Sequence, residues 1–301
     1  MKNLFSVQDK VIVITGAAGV LGTSMVHHFA EQGAKVVILD RNEEAGRRLE
    51  EEVKAEGGEV MFLYTDVLDK QVLEGNYTEI MARYGRIDVL INGAGGNMAG
   101  ATIAPDKTIF DLDIEAVRKV VDLNLFWIIL PTMTFTRAMI EQKQGSIINI
   151  SSESAIRPLT RVAGYGVAKA AVTNFTKYMC GELATKYGDG LRVNAIAPGF
   201  FITEQNAVAE PGRKLYRTVE NDPRAHALRP FRRTFGAARH AAMARERRIE
   251  IRFGHDDRDR RRFRRLLDLI GPGHHSARRE SGQHDNPKTI RDMQRPAAQI
   301  H

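Results

Sequence analysis

The chain has 301 residues, of which 43% are hydrophobic and 27% charged, a composition typical of a globular protein with a sizeable core. No continuous apolar run reaches the roughly 18 residues of a membrane span, and Met1–Lys10 lacks the basic start and apolar core of a signal peptide. One cysteine, Cys180, cannot form an internal disulfide. We therefore expect a cytoplasmic protein and exclude a membrane protein, a secreted disulfide scaffold and a fibre.

Charge divides the chain near residue 206. Residues 1–206 carry a net charge of −4, whereas residues 207–301 carry +11 and contain 21 arginines. The pI near 9.5 is therefore a property of the second part alone. This contrast predicts a folded domain over 1–206 and an arginine-rich tail over 207–301, which has little periodic apolar pattern and is expected to be disordered.

Short apolar runs alternate with amphipathic stretches in the first region. The predicted strands are Lys10–Thr15, Lys35–Leu39, Glu59–Tyr64, Ile87–Ile91, Gly145–Ile150 and Leu191–Ile196. The predicted helices are Gly22–Gln32, Asn42–Gly57, Asp69–Tyr84, Ile114–Gln142 and Ala163–Tyr187. Most strand runs are continuously apolar, as in parallel strands buried on both faces. The alternation predicts an α/β fold with a doubly wound parallel sheet and helices on both faces.

The first turn has the sequence expected of a dinucleotide site. Thr15–Gly22, with the sequence Thr-Gly-Ala-Ala-Gly-Val-Leu-Gly, follows the first strand and opens the first helix. Glycines let a pyrophosphate approach the backbone, and the helix N-terminus supplies amide donors. Glycine turns without a ligand are common, but this position after the first strand favours a dinucleotide. The predicted cofactor contacts here are Gly16, Gly19, Val20, Leu21 and Gly22.

Asp40 bears on the choice between NAD and NADP. It ends the second strand about 20 residues past the glycine turn, where a carboxylate can bind the ribose hydroxyls. A carboxylate would repel a 2′-phosphate, which favours NAD, whereas the neighbouring Arg41 could pair with that phosphate. The simpler alternative for Asp40 is a solvated loop acid.

The next two strands also end in candidate cofactor residues. Asp66 and Val67 follow the third strand, where the carboxylate could accept from the adenine amino group or could instead cap the next helix. Asn92 and Ala94 belong to the Asn-Gly-Ala-Gly sequence that ends the fourth strand. That sequence either lies at the ligand edge of the sheet or forms a plain tight turn.

A tyrosine and a lysine share one face of a predicted helix. Tyr165 and Lys169 are four residues apart, so their side chains project from the same side. A nearby ammonium favours phenolate, so we expect Lys169 to lower the pKa of the Tyr165 phenol. Ser152, just past the fifth strand, could hydrogen-bond a substrate oxygen. Asn124, inside the preceding helix, could bend that helix and hold a water behind the lysine. Each alone has a purely structural reading.

These motifs together resemble those of the short-chain dehydrogenase/reductase family, over residues 5–206. The resemblance rests on Thr15–Gly22, Asn92-Gly-Ala-Gly95, Asn124, Ser152, Tyr165-x-x-x-Lys169 and Pro198-Gly199 with Thr203. It implies a Rossmann-like NAD(P) oxidoreductase with Pro198, Gly199 and Thr203 beside the nicotinamide. It also implies that Tyr165 is the acid–base, Lys169 lowers its pKa and binds ribose, Ser152 orients the substrate and Asn124 anchors a proton relay.

Within the family, residues 92–98 and 198–206 are most similar to sugar-acid reductases of the mannonate/fructuronate type. Such a substrate needs a partner for its carboxylate, and Arg157 and Arg161 are candidates, although solvated loop charges are the simpler reading. Two residues depart from the family pattern. Val20 stands where a glycine is usual, and Trp127 stands where a small residue is usual, so the indole could disturb helix packing or a subunit contact.

The sequence after Asn206 departs from the family altogether. The family continues with a substrate lid, a helix and a last strand ending in Asp-Gly-Gly, and none of these is visible here. Permitted codons from Glu246 onward, shifted by one base, can encode SDASKFVSGTTIAIDGGFDAFSI, which has that ending. We therefore predict a one-base frameshift near Ala207, in the gene or in its reading. The C-terminal strand and helix would then be missing, and the chain would be unstable or poorly active.

Several alternatives stay open. The substrate could instead be a polyol, a steroid or an acyl carrier conjugate. Residues 245–265 could bind nucleic acid, but this stretch has only two aromatics, Phe253 and Phe263, and no recognisable nucleic-acid fold. No metal or membrane partner is predicted. Because the lid and last helix commonly form subunit contacts in the family, a homo-oligomer is expected of the intact fold and is in doubt for this chain.

Overall fold

Six parallel strands form one sheet in the order β3-β2-β1-β4-β5-β6. The computed structural model describes residues 6–157, 159 and 161–199; Thr203 and the predicted tail over 207–301 lie outside them. The strands are β1 Val11–Thr15, β2 Lys35–Asp40, β3 Glu59–Tyr64, β4 Val89–Asn92, β5 Gly145–Ile150 and β6 Leu191–Ile196. The predicted doubly wound, Rossmann-like sheet is confirmed, and β3, β5 and β6 have the predicted bounds.

Helices connect successive strands: α1 Val20–Glu31, α2 Glu43–Ala55, α3 Lys70–Tyr84, α4 Ile114–Val121, α5 Trp127–Gln142 and α6 Ala163–Tyr187. Side chains cap three of the starts: Asn42 accepts from the Ala45 amide, Asp69 accepts from the Gln71 and Val72 amides, and Asp113 accepts from the Glu115 amide. The single helix predicted over 114–142 is instead α4 and α5 joined by a π-helical turn, Asp122–Phe126.

The core lies on both faces of the sheet. Alternate residues of β1 point in opposite directions, so Ile12 and Ile14 pack towards α1 while Val11 and Val13 pack into the cluster on the other face. That second cluster includes residues of α3, α5 and α6, among them Leu73, Phe135 and Leu183. Each such side chain contributes roughly 1.5–3 kcal/mol when fully buried, which explains the continuous apolar runs.

The segment Ile114–Gln142 is the one helix in the described residues that is long and apolar enough to cross a membrane, by length and composition only. Its threonines interrupt every continuous apolar run, so the sequence did not suggest a span. Ile128, Phe135 and Met139 in this segment are fully buried in the protein. The segment therefore serves as a core helix of the fold.

The sheet reverses its winding direction between β1 and β4, which are neighbours in space but not in sequence. In sheets of this kind, ligands bind outside the carboxyl ends of the strands at this switch point. The Thr15 hydroxyl, at the end of β1, accepts from the Gly93 and Ala94 amides at 3.2 Å each. This bond fixes the two loops that border the crevice.

Candidate active site

The glycine turn lies tightly against the end of β4. Gly16 has a φ of 66°, and a Cβ there would lie 2.7 Å from the Cα of Ala94. A Cβ on Gly22 would lie 2.3 Å from the carbonyl oxygen of Gly16. No side chain fits at either position, because the obstructing atoms belong to the backbone. These glycines therefore let the turn pack directly against the backbone of Ala94 and against the start of the turn itself.

Val20, which stands where the family usually has a glycine, does not disturb the start of α1. Gly19 precedes the helix and has no side chain to bond the first-turn amides, which remain suited to an anion. Val20 is 51% exposed, so its side chain fills no space in the core. Leu21 packs against the core cluster beside β1. The residues predicted to hold a pyrophosphate thus all lie in this one turn.

Asp40 is held beside the glycine turn rather than free in a loop. Its Oδ2 accepts from the Ala18 amide at 3.0 Å, and its Oδ1 accepts from the Asn42 amide at 2.9 Å. The alternative of a solvated loop acid is therefore wrong. A carboxylate oxygen has more than one acceptor position, so both oxygens can still accept from ribose hydroxyls.

Two of the other predicted cofactor residues, Asp66 and Asn92, have contacts within the protein, and their contacts with a cofactor stay predictions. Asp66 does not cap α3; its Oδ1 accepts from the Leu68 amide, and Asp69 is the cap. Asn92 is fully buried, and its Nδ2 donates to Thr132 Oγ1 and Asn149 Oδ1 at 2.8 Å each. The Asn92 side chain therefore ties β4 to α5 and β5, and a cofactor contact would have to be made through its backbone. Val67 and Ala94 are buried.

Asn124 lies in the π-helical turn, as the predicted bend requires. Its Nδ2 donates to the Gly96 carbonyl at 2.6 Å and to the Val120 carbonyl at 2.8 Å, and its Oδ1 accepts from the Gly96 amide at 3.1 Å. A Cβ on Gly95 would lie 2.9 Å from Asn124 Oδ1 and 3.2 Å from Lys169 Nζ. Gly95 thus lets the asparagine and the lysine share one small space.

Ser152, Tyr165 and Lys169 come together at the end of β5. The Lys169 ammonium is buried, donates to the Ile150 carbonyl at 2.8 Å and lies 5.7 Å from the Tyr165 ring centroid. The Ser152 side chain interacts with the Tyr165 phenol in the sense that lowers the phenol pKa. Tyr165 packs against the cluster of Ala101, Ala116 and Val120.

The expected direction of the phenol shift is wrong in this structure. Burial raises the pKa of Tyr165, and the interaction with Ser152 offsets this only in part. Burial also lowers the pKa of Lys169, to about 8. Both shifts have one cause, since a desolvated site disfavours phenolate and ammonium alike. Lys169 therefore does not lower the phenol pKa here, and Tyr165 is protonated at neutral pH.

Backbone and hydroxyl contacts assemble the rest of the site. The Ser151 hydroxyl bonds the Lys169 carbonyl at 3.1 Å, which ties β5 to α6. The Glu153 amide donates to the Pro198 carbonyl at 3.0 Å, so Pro198 and Gly199 lie next to the segment that carries Ser152. Thr203, predicted beside them, lies outside the described residues.

Both candidate carboxylate partners already have contacts. Arg157 pairs with Glu153 at 3.4 Å. The Arg161 Nε donates to the Ile103 carbonyl at 2.7 Å, and the Ile103 amide donates back to the Arg161 carbonyl. Arg161 keeps its terminal nitrogens for a ligand, whereas Arg157 would have to leave Glu153.

Two polar atoms near the site have no hydrogen-bond partner among the described residues, a feature that the sequence did not predict. Within the described part of the chain, Ser154 Oγ and Asn97 Oδ1 are buried without a hydrogen-bond partner. Ser154 is two residues past Ser152, and its Cβ lies 3.9 Å from a Cβ built on Gly166, beside Tyr165. Neither atom had a sequence signal, because a missing partner is visible only in three dimensions. No group of three or more His, Cys, Asp or Glu side chains in the described residues could hold a metal.

The fold and this site define a dinucleotide-dependent oxidoreductase with a serine, a tyrosine and a lysine at its centre. The family model for short chain dehydrogenases matches residues 10–214. The chain belongs to this family, and it is an NAD(P)-dependent dehydrogenase/reductase. The match ends eight residues past the boundary predicted at 206.

Several characterised and uncharacterised proteins are similar. An uncharacterised oxidoreductase of Bacillus subtilis, UxuB, is 40% identical over 205 residues, or 65% of this chain and 73% of the relative. A 3-oxoacyl-[acyl-carrier-protein] reductase of Synechocystis is 34% identical, over 67% of this chain and 79% of the relative. A 7α-hydroxysteroid dehydrogenase of Bacteroides fragilis is 32% identical, over 69% of this chain and 79% of the relative.

Two solved structures are also similar. One, from Haemophilus influenzae, is proposed to be a D-mannonate oxidoreductase and contains NAD; it is 36% identical with a TM-score of 0.62, over 68% of this chain and 77% of its own. A gluconate 5-dehydrogenase of Burkholderia cenocepacia, with NADP and tartrate, is 31% identical with a TM-score of 0.62, over 70% and 79%. Relatives with either cofactor therefore share this fold.

The buried lysine should make stability depend on pH. Replacing Lys169 with methionine removes a group whose pKa is lowered from 10.5 to about 8. Below that range the ammonium is charged in both the folded and unfolded chains. Between these two pKa values the lysine is mostly protonated in the unfolded chain and mostly neutral in the folded chain. The parent protein therefore becomes more stable as the pH rises through this interval.

We expect the parent to gain about 3 kcal/mol relative to Lys169→Met between pH 7 and 10.5. Urea unfolding of both proteins at several pH values measures this gain. Lys177→Met, on the exposed side of the same helix, controls for the loss of an ammonium. A constant difference between parent and Lys169→Met over this range would contradict a buried, desolvated lysine.

Proposed function

We propose that the protein interconverts a ketone and a secondary alcohol of a sugar acid of the mannonate/fructuronate type, with NAD as the preferred cofactor. The observation that carries the chemistry is the contact of Ser152 with Tyr165 above the buried ammonium of Lys169, beside the glycine turn. Bound NAD(P) supplies hydride transfer at its nicotinamide. The glycine turn and Asp40 fit the pyrophosphate and the ribose.

Tyr165 supplies the proton in this proposal. Its raised pKa keeps the phenol protonated at neutral pH, so its O–H can donate to the oxygen of a carbonyl that receives hydride. In the reverse direction the phenol must first lose its proton, which the raised pKa opposes. The site is therefore better suited to carbonyl reduction at neutral pH and to alcohol oxidation at alkaline pH.

Ser152 and Lys169 position the reacting groups. The Ser152 oxygen accepts from the Ser154 amide at 3.2 Å, which leaves its own O–H to donate to Tyr165 or to the substrate oxygen. Lys169 has three N–H donors, one of which goes to the Ile150 carbonyl. The others can bind ribose hydroxyls. Asn124, through its bonds to Gly96, fixes the loop that faces the lysine.

The comparisons support a sugar-acid substrate, because a protein proposed to be a D-mannonate oxidoreductase and a gluconate 5-dehydrogenase are both similar to this chain. The terminal nitrogens of Arg161 could bind the substrate carboxylate. The acyl-carrier and hydroxysteroid relatives keep those two substrate classes as alternatives.

A substrate panel tests the assignment. Fructuronate, gluconate, xylitol, a 3-oxoacyl thioester and a hydroxysteroid are each assayed with both cofactors in the appropriate redox state. We expect kcat/KM to be highest for a sugar acid with NAD(H). Arg161→Gln should raise the KM for that substrate by about 3–10-fold, because it removes a hydrogen bond to the carboxylate. Arg48→Gln, which changes an exposed arginine on α2, should change neither kcat nor KM. A preference for the thioester or the steroid would refute the proposal.

The frameshift stays a proposal about the coding sequence. We propose that residues 207–301 derive from the family's C-terminal coding region read out of frame, and that the protein with this tail is poorly active. Sequencing the encoding DNA tests this: a frame whose shifted reading lacks the Asp-Gly-Gly ending would refute it. Family members are typically oligomeric, and we propose a homo-oligomer for the intact fold. Localisation in the cytoplasm and the weak nucleic-acid alternative also stay predictions, since residues 245–265 lie outside the described residues.

A further inference from the structure

Two residues that sequence analysis treated as separate anomalies are in contact. The position of Arg41 beside Asp40 would favour NADP. Trp127, at the start of α5, stands where the family usually has a small residue. The guanidinium carbon of Arg41 lies 5.2 Å from the centroid of the Trp127 ring, within the range of a cation–π interaction. The arginine is thus held on the indole face.

The indole lies on the adenine side of the proposed cofactor site. Trp127 is 8% exposed and belongs to the same apolar cluster as Leu39, Val67 and Ala94. These three residues lie at the carboxyl ends of β2, β3 and β4, next to the residues predicted to contact the adenosine. Among the described residues, the Trp127 Nε1 has no hydrogen-bond acceptor. The indole is therefore fixed by packing and presents its face to Arg41.

Asp40 and Arg41 consequently point to different neighbours. Asp40 is bonded to the Ala18 and Asn42 amides, which keep its carboxylate at the glycine turn. Arg41 is exposed along its length but rests with its charged end on the indole. Moving the guanidinium off the indole to reach a phosphate at another position would cost the cation–π contact, about 0.5–1 kcal/mol at an exposed site.

We propose that Trp127 is a specificity-determining residue that acts through Arg41: by holding the guanidinium on its indole face, it disfavours binding of a 2′-phosphate by Arg41 and so supports the preference for NAD over NADP. This inference rests on the proposed cofactor site. It explains why an arginine next to Asp40 need not make the protein NADP-dependent.

Direct binding of reduced cofactors tests the inference without an activity assay. Dissociation constants for NADH and NADPH are measured by nicotinamide fluorescence on the full chain, its Arg41→Ala, Trp127→Leu and Trp127→Phe variants, and the double variant Arg41→Ala/Trp127→Leu. The quantity compared is the ratio of the NADPH constant to the NADH constant.

We expect Arg41→Ala to change this ratio by less than about 2-fold. Trp127→Leu should lower it about 2–5-fold, because the guanidinium no longer gives up a contact of about 0.5–1 kcal/mol when it pairs with the 2′-phosphate. The double variant should return to the parent ratio, and Trp127→Phe, which keeps an aromatic face, should stay near it. A selective weakening of NADPH by about 10-fold in Arg41→Ala would overturn the inference. So would an unchanged ratio in Trp127→Leu.

The chain offers a second measurement, because Trp127 is its only tryptophan. Arg41→Ala should change the intensity and position of the Trp127 emission in the folded protein, since it removes the cation from the indole. Even if Trp127→Leu does not fold, the Trp127 emission and the ratio of dissociation constants in Arg41→Ala still test the inference. An unchanged emission would overturn the contact. Failure of every folded variant to bind either cofactor would instead overturn the cofactor site, and the inference with it.

Discussion

Replacing Tyr165 with phenylalanine should lower kcat for carbonyl reduction by about 10²–10⁴-fold, the usual contribution of a general acid. The change removes one oxygen and leaves the ring that packs against Ala101, Ala116 and Val120. Affinity for NADH and the free energy of unfolding should therefore change little. Steady-state kinetics with the preferred substrate, together with NADH titration and urea unfolding, measure the three quantities.

A matched control lies on the same helix. Tyr178 in α6 is 61% exposed and faces away from the site, so Tyr178→Phe removes the same atom without touching the proposed chemistry. It should keep the parent rate. If Tyr165→Phe turns over as fast as Tyr178→Phe, Tyr165 does not transfer the proton and the mechanism is wrong.

The second large effect is expected at Gly16. In Gly16→Ala the new Cβ would lie 2.7 Å from the Cα and 2.8 Å from the amide nitrogen of Ala94, and the residue would keep a φ of 66°. The left-handed backbone costs roughly 1–2 kcal/mol and overpacking roughly 1–3 kcal/mol more. We expect a loss of about 2–5 kcal/mol in the free energy of unfolding, with NADH binding weakened at least 10-fold because the turn must move.

Gly57→Ala separates the cost of the left-handed backbone from the cost of overpacking. Gly57 also has a positive φ, of 86°, but a Cβ there would meet nothing within 4 Å. Its replacement should cost only the roughly 1–2 kcal/mol of the left-handed backbone and should leave NADH binding intact, because it lies after α2. Equal losses for Gly16→Ala and Gly57→Ala, measured by urea unfolding, would show that the contact with Ala94 does not constrain the turn.

Local pattern was sufficient to predict the sheet, because each strand is a short buried run. Gly145–Ile150 is buried at every position, whereas Leu191–Ile196 is buried at Leu191, Val193 and Ile196; both have their predicted bounds. The positions of the proposed catalytic residues at strand ends and on one helix face were also predictable from their order along the chain. The bend at Asn124 followed from a polar amide inside an apolar helix.

Other features depend on pairs that are distant in sequence. The contact of Arg41 with Trp127 joins the loop after β2 to the start of α5, and no local sequence period relates these two positions. The role of Asn92 as a core amide depends on Thr132 and Asn149, and neither residue indicates this by itself. The direction of the Tyr165 pKa shift depends on how deeply the phenol is buried. A sequence identifies the neighbouring cation, but the balance of solvation and charge requires coordinates.

The bond between the Glu153 amide and the Pro198 carbonyl has a consequence for how this enzyme could diversify. It anchors the end of β6 next to the segment that carries Ser152. The residues proposed to hold the pyrophosphate and the adenosine, from the glycine turn to Ala94, all precede that segment in the chain. Changes at the end of β6 can therefore alter the proposed substrate site while the proposed pyrophosphate and adenosine contacts stay the same.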